Sequence, residues 1–306
     1  MSNSYHTEII PDADHAGQRV DNYILSKTKL PRPLIYKALR HRDIRVNKKK
    51  VGPSYRLVEN DVIQIPKHYL TPIQESKPAP KNISWIQDCI FFEHPDFYVI
   101  NKPNGLAVHG GSGDSFGLIE LLRLHFNNSK LELIHRLDKE TSGLILIAKK
   151  RSALTAISTL FAERTIQKTY LALLNGICRK KTLVQEPLRI DRIHGIRQAT
   201  VARDGQAATT TFIPLFKQNQ QTLCAVLPKT GRMHQIRAHA LFLGMPIVGD
   251  KLYGHDETNK LHLHATKLEF TYQDELYTFE QEPPSFWDAA LFNGWNLWKT
   301  INQHQN

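Results

Sequence analysis

The chain has 306 residues, enough for one large domain or a large and a small one, and long enough to bury a sizeable core without disulfides. Lys and Arg outnumber Asp and Glu by 40 to 29, a net charge of +11 that suits a polyanionic partner, nucleic acid before membrane. No apolar run approaches the ~18 residues of a membrane span, residues 1–8 lack a signal-peptide pattern, and Cys89, Cys178 and Cys224 are too scattered for a disulfide framework or a cysteine metal knuckle, so a reducing cytoplasm is the expected location.

In chain order, residues 1–15 read as an N-terminal tail and residues 16–67 as a small basic domain. Between Ala16 and Pro66 stand 12 Lys or Arg against only Asp21, Asp43, Glu59 and Asp61, a local net of +8. Arg19 to Ser26 carries Val20, Ile24 and Leu25 at helical spacing. Arg32 to Arg42 has Pro33 at a helix start, where its missing N–H costs nothing, and lines up Leu34, Ile35, Ala38 and Leu39 on one stripe. Lys37, Arg40 and Arg42 are left for the other side. Ile44 to Asn47 alternates as a strand, Lys48, Lys49 and Lys50 make a turn, and Asp61 to Ile65 closes as a second strand. A basic face of this kind can be a merely solvated helix surface, but a triple-Lys turn beside it favours nucleic acid.

The order Gly17-Gln18-Arg19-Val20-Asp21, then the basic helix, Val46-Asn47-Lys48-Lys49 and Asn60-Asp61, resembles the S4-type RNA-binding domain along the whole module. That resemblance implies contact with structured RNA through shape and phosphates. Arg19, Arg32, Lys37, Arg40, Arg42, Lys48, Lys49 and Lys50 are the expected RNA-contacting residues.

From Pro66 to Ser84 the periodicity is broken by Pro72, Pro78 and Pro80, so residues 68–87 read as a semi-extended linker. Residues 88–306 form the expected large domain. Strands are predicted at Phe97–Asn101, Leu144–Ala148, Lys168–Leu174 and Leu261–Phe270, and a hairpin at Thr209–Phe216 and Thr222–Leu227. Helices are predicted at Gly117–Phe126, from an N-cap at Ser152 to Glu163, and at Met233–Leu243. Strands outnumber helices without alternating with them, which favours an α+β fold with a mixed, mainly antiparallel sheet over a doubly wound one.

Three stretches invite chemistry. His109-Gly110-Gly111-Ser112-Gly113 lacks the ending of a phosphate-binding loop and reads more simply as a loop. His262 and His264 would share one strand face, whereas His234 and His239 share a helix face poorly, and a metal site is not expected. His135-Arg136-Leu137-Asp138-Lys139-Glu140-Thr141-Ser142-Gly143 is a dense polar run against the apolar strand at Leu144. Its Asp138 could be a cap or a reactive carboxylate. Arg232 and Arg237 flank a helix start, and a buried Arg needs an anion, for which Asp138 is a candidate.

Together these stretches resemble the RluA family of pseudouridine synthases. The carriers are the His135–Gly143 run, Gly231-Arg232-Met233-His234-Gln235-Ile236-Arg237-Ala238-His239, Asn101-Lys102-Pro103-x-Gly105 and Gln167-Lys168-Thr169-Tyr170-Leu171-Ala172. Ala107 to Gly113 with Ser115-Phe116-Gly117 is most similar to the RluC-type branch, which modifies several uridines of 23S ribosomal RNA. The tail after Pro284 matches poorly, and Gln206 stands where relatives often carry Lys.

The resemblance implies an α+β pseudouridine synthase domain following an S4-like one, with Asp138 as nucleophile, Arg237 as the basic residue beside it and Tyr170 packed on the target base. An Arg partner favours the charged carboxylate. The target base must be flipped out of the RNA. Arg136 is expected to fill the vacated stack, a place suited to a planar guanidinium. His135, Arg232, Ile236 and Leu263 are further expected substrate-binding residues, the last two as apolar walls that exclude water. No cofactor or metal is expected. The expected partner is 23S ribosomal RNA or a large-subunit precursor, with no membrane, and the expected state is a monomer. The competing readings are the same chemistry on other ribosomal or transfer RNA uridines, and a non-catalytic RNA-binding assembly factor.

Overall fold

The computed structural model describes residues 5–9, 15–28, 30–69, 80, 82–110, 116–256 and 260–288. The chain divides into two compact units, Met1–Lys81 and Asn82–Asn306.

In the first unit, helices α1 (Val20–Thr28) and α2 (Arg32–Arg40) pack on a three-stranded antiparallel sheet of β1 (Tyr5–Ile9), β2 (Arg45–Val46) and β3 (Val62–Pro66), ordered β1-β3-β2. Pro31 is extended, with ψ 139°, and Pro33 lies in the first turn of α2, so neither ring removes a helical hydrogen bond. Val20, Tyr23, Ile24, Ile35, Ala38 and Leu39 from the helices meet Val46, Ile63 and Ile65 from the sheet in one core. This is the stripe expected of the helices. Residues 5–9, expected to be tail, instead pair with β3 along its whole length.

After β2 the chain reverses through Asn47 and Lys48, both left-handed (φ 50° and 62°). Val46 and Lys49 exchange backbone hydrogen bonds of 3.0 and 2.8 Å. The Asn47 side chain donates to Asp61 at 2.7 Å and accepts from the Val62 N–H at 2.9 Å. This pinned turn is what holds Lys48, Lys49 and Lys50 out in solvent.

The second unit is built on one large sheet in the order β4 (Ile90–Glu93), β5 (Phe97–Lys102), β7 (Ser142–Ala148), β14 (Leu263–Tyr272), β8 (Gln167–Asn175), β13 (Gln221–Pro228), β12 (Thr210–Gln218) and β9 (Thr182–Val184). Strand β6 (Glu132–Leu133) pairs with β7, and β15 (Glu275–Glu280) with β14. Every pairing is antiparallel except β7 with β14, the mixed sheet expected of this sequence.

Every residue of β7 is buried, and its side chains alternate between two cores. Ile145 and Ile147, with Tyr98 and Ile100, pack on Leu118, Ile119 and Leu122 of α3 (Leu118–His125). Leu144 and Leu146, with Phe97 and Val99, pack on Ala153 and Ile157 of α4 (Arg151–Glu163). Helix α4 begins at Arg151 with Lys150 as its cap residue and no side-chain cap, so Ser152 lies inside the first turn. Helix α5 (Gln235–Phe242) starts later than expected because His234 is left-handed, with φ 51°. The linker assignment also ends too late: Ile86 is fully buried in the α3 core.

A separate two-stranded sheet, β10 (Leu188–Ile193) and β11 (Ile196–Val201), is an addition to the expected elements. Its buried residues are few, Leu188 and Ala199, while Ile190, Ile193 and Ile196 are exposed, so the segment lacks the signature of a core strand.

Candidate active site

The loop before β7 carries Asp138 and is fastened on three sides. Thr141 N–H bonds the Asp138 carbonyl at 3.1 Å, closing a turn. The buried Lys102 ammonium, at the end of β5, donates to the carbonyls of Pro103 (3.0 Å), Leu106 (2.8 Å) and Lys139 (3.0 Å). Burial pulls this ammonium down to about 7, against the opposing charges of Glu140 and Asp138. Three carbonyl acceptors nonetheless match the three donors of a protonated amine, so the geometry favours the charged form. Beyond Asp138, Gly143 (φ 108°) lets β14 approach: a Cβ there would lie 2.3 Å from the Ala265 carbonyl oxygen. Ser142 and His264, opposite each other in the parallel pairing, share a side-chain hydrogen bond of 2.9 Å.

Asp138 opens into a cleft of about 670 Å³ lined by Arg136, Lys168, Tyr170, Arg232, His234, Ile236, Arg237 and Leu263, with Leu188 to Ile190 of β10 as a further wall. Seven of the eight residues expected at the catalytic and substrate sites therefore line one cavity, and they come from the Asp138 loop, β8, α5 with the turn before it, and β14. Ile236 and Leu263 are buried apolar walls. Arg136 is exposed at the rim and also lines a second recess with Ala107, His109 and Lys139. Tyr170 pairs with Val226 of β13 and Ala265 of β14. Burial, helped by the Asp138 charge, pushes its phenol well above its ordinary value, so it remains an O–H.

His135 is the exception. Its Nε2 accepts the Leu146 N–H at 3.0 Å and its ring tilts against Phe161 at 4.5 Å. Burial holds the imidazole down to about 3. It is not among the residues lining the Asp138 cleft, and it acts as a brace between the loop and β7.

The anion that holds Arg237 also differs from the expectation. Arg237 is buried, and its Nε and Nη2 donate to Asp250 Oδ2 and Oδ1 at 2.8 and 2.7 Å. Asp250 is fully buried and also accepts the N–H groups of Leu252 and Tyr253, each at 3.0 Å. Burial works against the guanidinium charge, but Asp250, with Asp138 and Tyr253, more than offsets it and raises Arg237 above its ordinary value. The Tyr253 ring lies 5.0 Å from the guanidinium carbon. Asp138 Oδ2 is 3.9 Å from Arg237 Nη1 and 3.9 Å from His234 Nε2, beyond hydrogen-bond range in both cases. A partly exposed carboxylate thus faces a cation already oriented by a second carboxylate. The segment before α5 is locked by Gln235, whose Oε1 accepts from Thr230 (2.7 Å) and Arg232 N–H (3.0 Å) while its Nε2 donates to Thr209 and Thr210. Arg232 itself reaches the Ala207 carbonyl at 3.2 Å from the rim.

His264 takes Ser142 as partner, and the His262 ring N–H donates to the Lys260 carbonyl at 2.8 Å. Among the described residues no group of three or more His, Cys, Asp or Glu could hold a metal ion. The Gly-rich stretch falls partly outside the described residues, which omit 111–115. At its two ends, Gly110 and Gly117 N–H both donate to Glu120 Oε2 at 2.9 Å, and despite burial His109 and these donors hold Glu120 down to about 2.

In the first unit, Lys37, Arg40, Arg42, Lys48, Lys49 and Lys50 are exposed, and Arg40 and Lys50 line one groove with Tyr36 and Gly52. Arg19 and Arg32 differ from these. Arg19 grips buried Asp21 through two hydrogen bonds of 3.1 and 2.8 Å, and Arg32 lies 3.6 Å from the same carboxylate, so part of their charge is neutralised internally.

The family model for RNA pseudouridylate synthase matches residues 96–241, and that for the S4 domain matches residues 18–63. The ribosomal large subunit pseudouridine synthase C of Yersinia pestis is 40% identical over 287 residues, covering 89% of this chain and 90% of that protein. The protein of the same name from Escherichia coli (strain K12) is 40% identical over 277 residues, covering 85% and 87%. The solved structure of human RNA Pseudouridylate Synthase Domain Containing 4 superposes with a TM-score of 0.55 at 26% identity, covering 67% of this chain and 92% of that one.

Proposed function

This chain belongs to the RNA pseudouridylate synthase family, with an S4 domain at its N-terminus, and from that premise we propose that it converts specific uridines of 23S ribosomal RNA to pseudouridine. The names carried by relatives about 40% identical over most of the chain support the large-subunit substrate. The observation that carries the catalytic reading is the Asp138 carboxylate, open to a 670 Å³ cleft and facing a buried, pre-oriented Arg237.

The reaction breaks the bond between C1′ and N1 of the uracil, turns the base, and joins C1′ to C5. The proton lost from C5 is balanced by one gained at N1, so no redox partner or group donor enters. Asp138 acts as the nucleophile, with the Arg237 guanidinium 3.9 Å from its Oδ2. Because Asp250 already fixes Arg237, the cation does not reorganise when charge develops. Tyr170 offers a ring face to the base and retains its O–H for a hydrogen bond. Ile236 and Leu263 keep water from the detached uracil. Arg136, exposed at the rim, takes the place of the flipped base in the stack.

The division of labour assigns RNA affinity to residues 16–67, through the exposed cations of α2 and the lysine turn, and chemistry to residues 88–306. No helix among the described residues is long and apolar enough to cross a membrane, and a monomer acting in the cytoplasm is the proposed state. The test is to map pseudouridine along 23S ribosomal RNA in a strain lacking this chain. Specific uridines should lose the modification and regain it on complementation. A map identical to the parent's would refute the assignment.

A further inference from the structure

His234 stands next to Asp138 in a backbone conformation that non-glycine residues rarely adopt, with φ 51°. Its ring is held from behind. Nδ1 lies 3.0 Å from the Tyr253 hydroxyl, which in turn accepts the Ala199 N–H of β11 at 2.8 Å. Tyr253 is 4% exposed, so its own O–H proton must find an acceptor within the fold. Of its two hydrogen-bond partners, Ala199 N–H is a donor and His234 Nδ1 is the one that can accept, so the proton goes to His234 Nδ1. A neutral imidazole that accepts at Nδ1 carries its hydrogen on Nε2. Nε2 is the atom that faces Asp138 Oδ2 at 3.9 Å.

The charges around the ring fit a neutral imidazole. Burial lowers the His234 pKa, Asp138 and Asp250 raise it, and Arg237 and Arg136 lower it, for a net shift downward. A charged His234 would add a second cation beside Arg237, which already supplies the counter-charge. A neutral N–H adds direction without charge. Both nearest approaches, from Nε2 and from Arg237 Nη1, are to the same carboxylate oxygen, Oδ2.

We propose that His234 is a positioning residue for Asp138: Tyr253 locks it as the Nε2–H tautomer, and that N–H joins Arg237 in holding Oδ2 so that Oδ1 is presented to the substrate. This rests on the function proposed above for the same cleft. The distance of 3.9 Å shortens to a hydrogen bond when RNA closes the site. It also gives the β10–β11 hairpin a role, since its Ala199 N–H sets the direction of the Tyr253 proton.

The test has two readouts. In protein labelled with ¹⁵N-histidine, the ring correlations of His234, assigned by their disappearance in His234→Leu, report which nitrogen is protonated. At neutral pH Nε2–H alone is expected, with a mixture of tautomers in Tyr253→Phe. In single-turnover reactions with saturating RNA, the rate of His234→Leu should fall about 10–100-fold, the scale of one charge-assisted hydrogen bond, with RNA affinity unchanged. His234→Gln, which keeps a side-chain N–H, should recover part of that rate. An Nδ1–H or imidazolium pattern in the wild type, or a wild-type rate in His234→Leu, would overturn the proposal. If His234→Leu fails to fold, Tyr253→Phe decides by the same two readouts. A wild-type chain that isomerises no uridine would instead overturn the functional reading, while the ring spectrum would still decide the tautomer.

Discussion

The central pairing at the site is a cation shared unequally between two carboxylates. Arg237 is bonded through two nitrogens to Asp250 and only approached by Asp138. That Asp138, Tyr170, Ile236 and Arg237 belong to one cleft was legible in the sequence because each lies in a short, distinctive run; Leu263, which lines the same cleft, lies in none. Asp250 was not, because it sits on a loop 13 residues beyond Arg237 with no periodic or motif signal of its own. Asp250→Ala would leave a buried guanidinium without its main anion and should cost about 3–5 kcal/mol of stability. Urea unfolding measures this, and a change below about 1 kcal/mol would mean that Asp138 can replace Asp250. His135, expected at the substrate, is a brace, and that too has a consequence. Its folded-state value, about 3, lies below that of a free imidazole, so the unfolded chain binds the extra proton between the two. Its contribution is therefore complete above about pH 6.5 and fades as pH falls toward 3. His135→Gln keeps an acceptor for Leu146 N–H but does not titrate, so its melting temperature should fall less steeply across that window than the wild type's. Parallel acid limbs would contradict the bracing role.

At the scale of elements, the strands of the large sheet announced themselves by continuous or alternating apolar runs, and β7, β8, β12, β13 and β14 lie where the sequence placed them to within a few residues. The β10–β11 hairpin escaped because its strands bury one residue each and expose their isoleucines, so burial leaves no period to read. Yet β10 walls the cleft and β11 anchors Tyr253. The junction of the Asp138 loop with β7 is a backbone site with no room for a side chain. At Gly143 any side chain meets the β14 backbone in a conformation that already favours glycine. Gly143→Ala should destabilise by about 1–3 kcal/mol and slow the reaction further, because the loop would be displaced with the strand. Thermal unfolding and single-turnover rates check both parts. Full activity at unchanged stability would show that the β7–β14 approach does not position Asp138.

Across the whole molecule, the charge excess and the chemistry sit on different units. The lysine turn and the exposed face of α2 carry the first unit's cations, while in the second unit the cation beside Asp138, Arg237, is buried and paired. Replacing Lys48, Lys49 and Lys50 together by Ala should weaken RNA binding. It should also reduce the slope of log affinity against log salt by about 0.7–0.9 for each phosphate left without its lysine, with the single-turnover rate at saturation unchanged. An unchanged slope would detach the turn from RNA binding. The basic unit was legible from composition and turn chemistry alone, but its N-terminal strand was not, because residues 5–9 become structure only by pairing with β3, 53 to 61 residues further along the chain. The proposed chemistry of the chain rests on one carboxylate, Asp138. The most direct measurement is to supply Asp138→Asn as the only copy of this chain in a cell and map pseudouridine in its 23S ribosomal RNA, with RNA binding of the purified variant measured alongside. The modification should be absent while binding is retained, and a normal pseudouridine map would contradict the assignment of Asp138 as nucleophile.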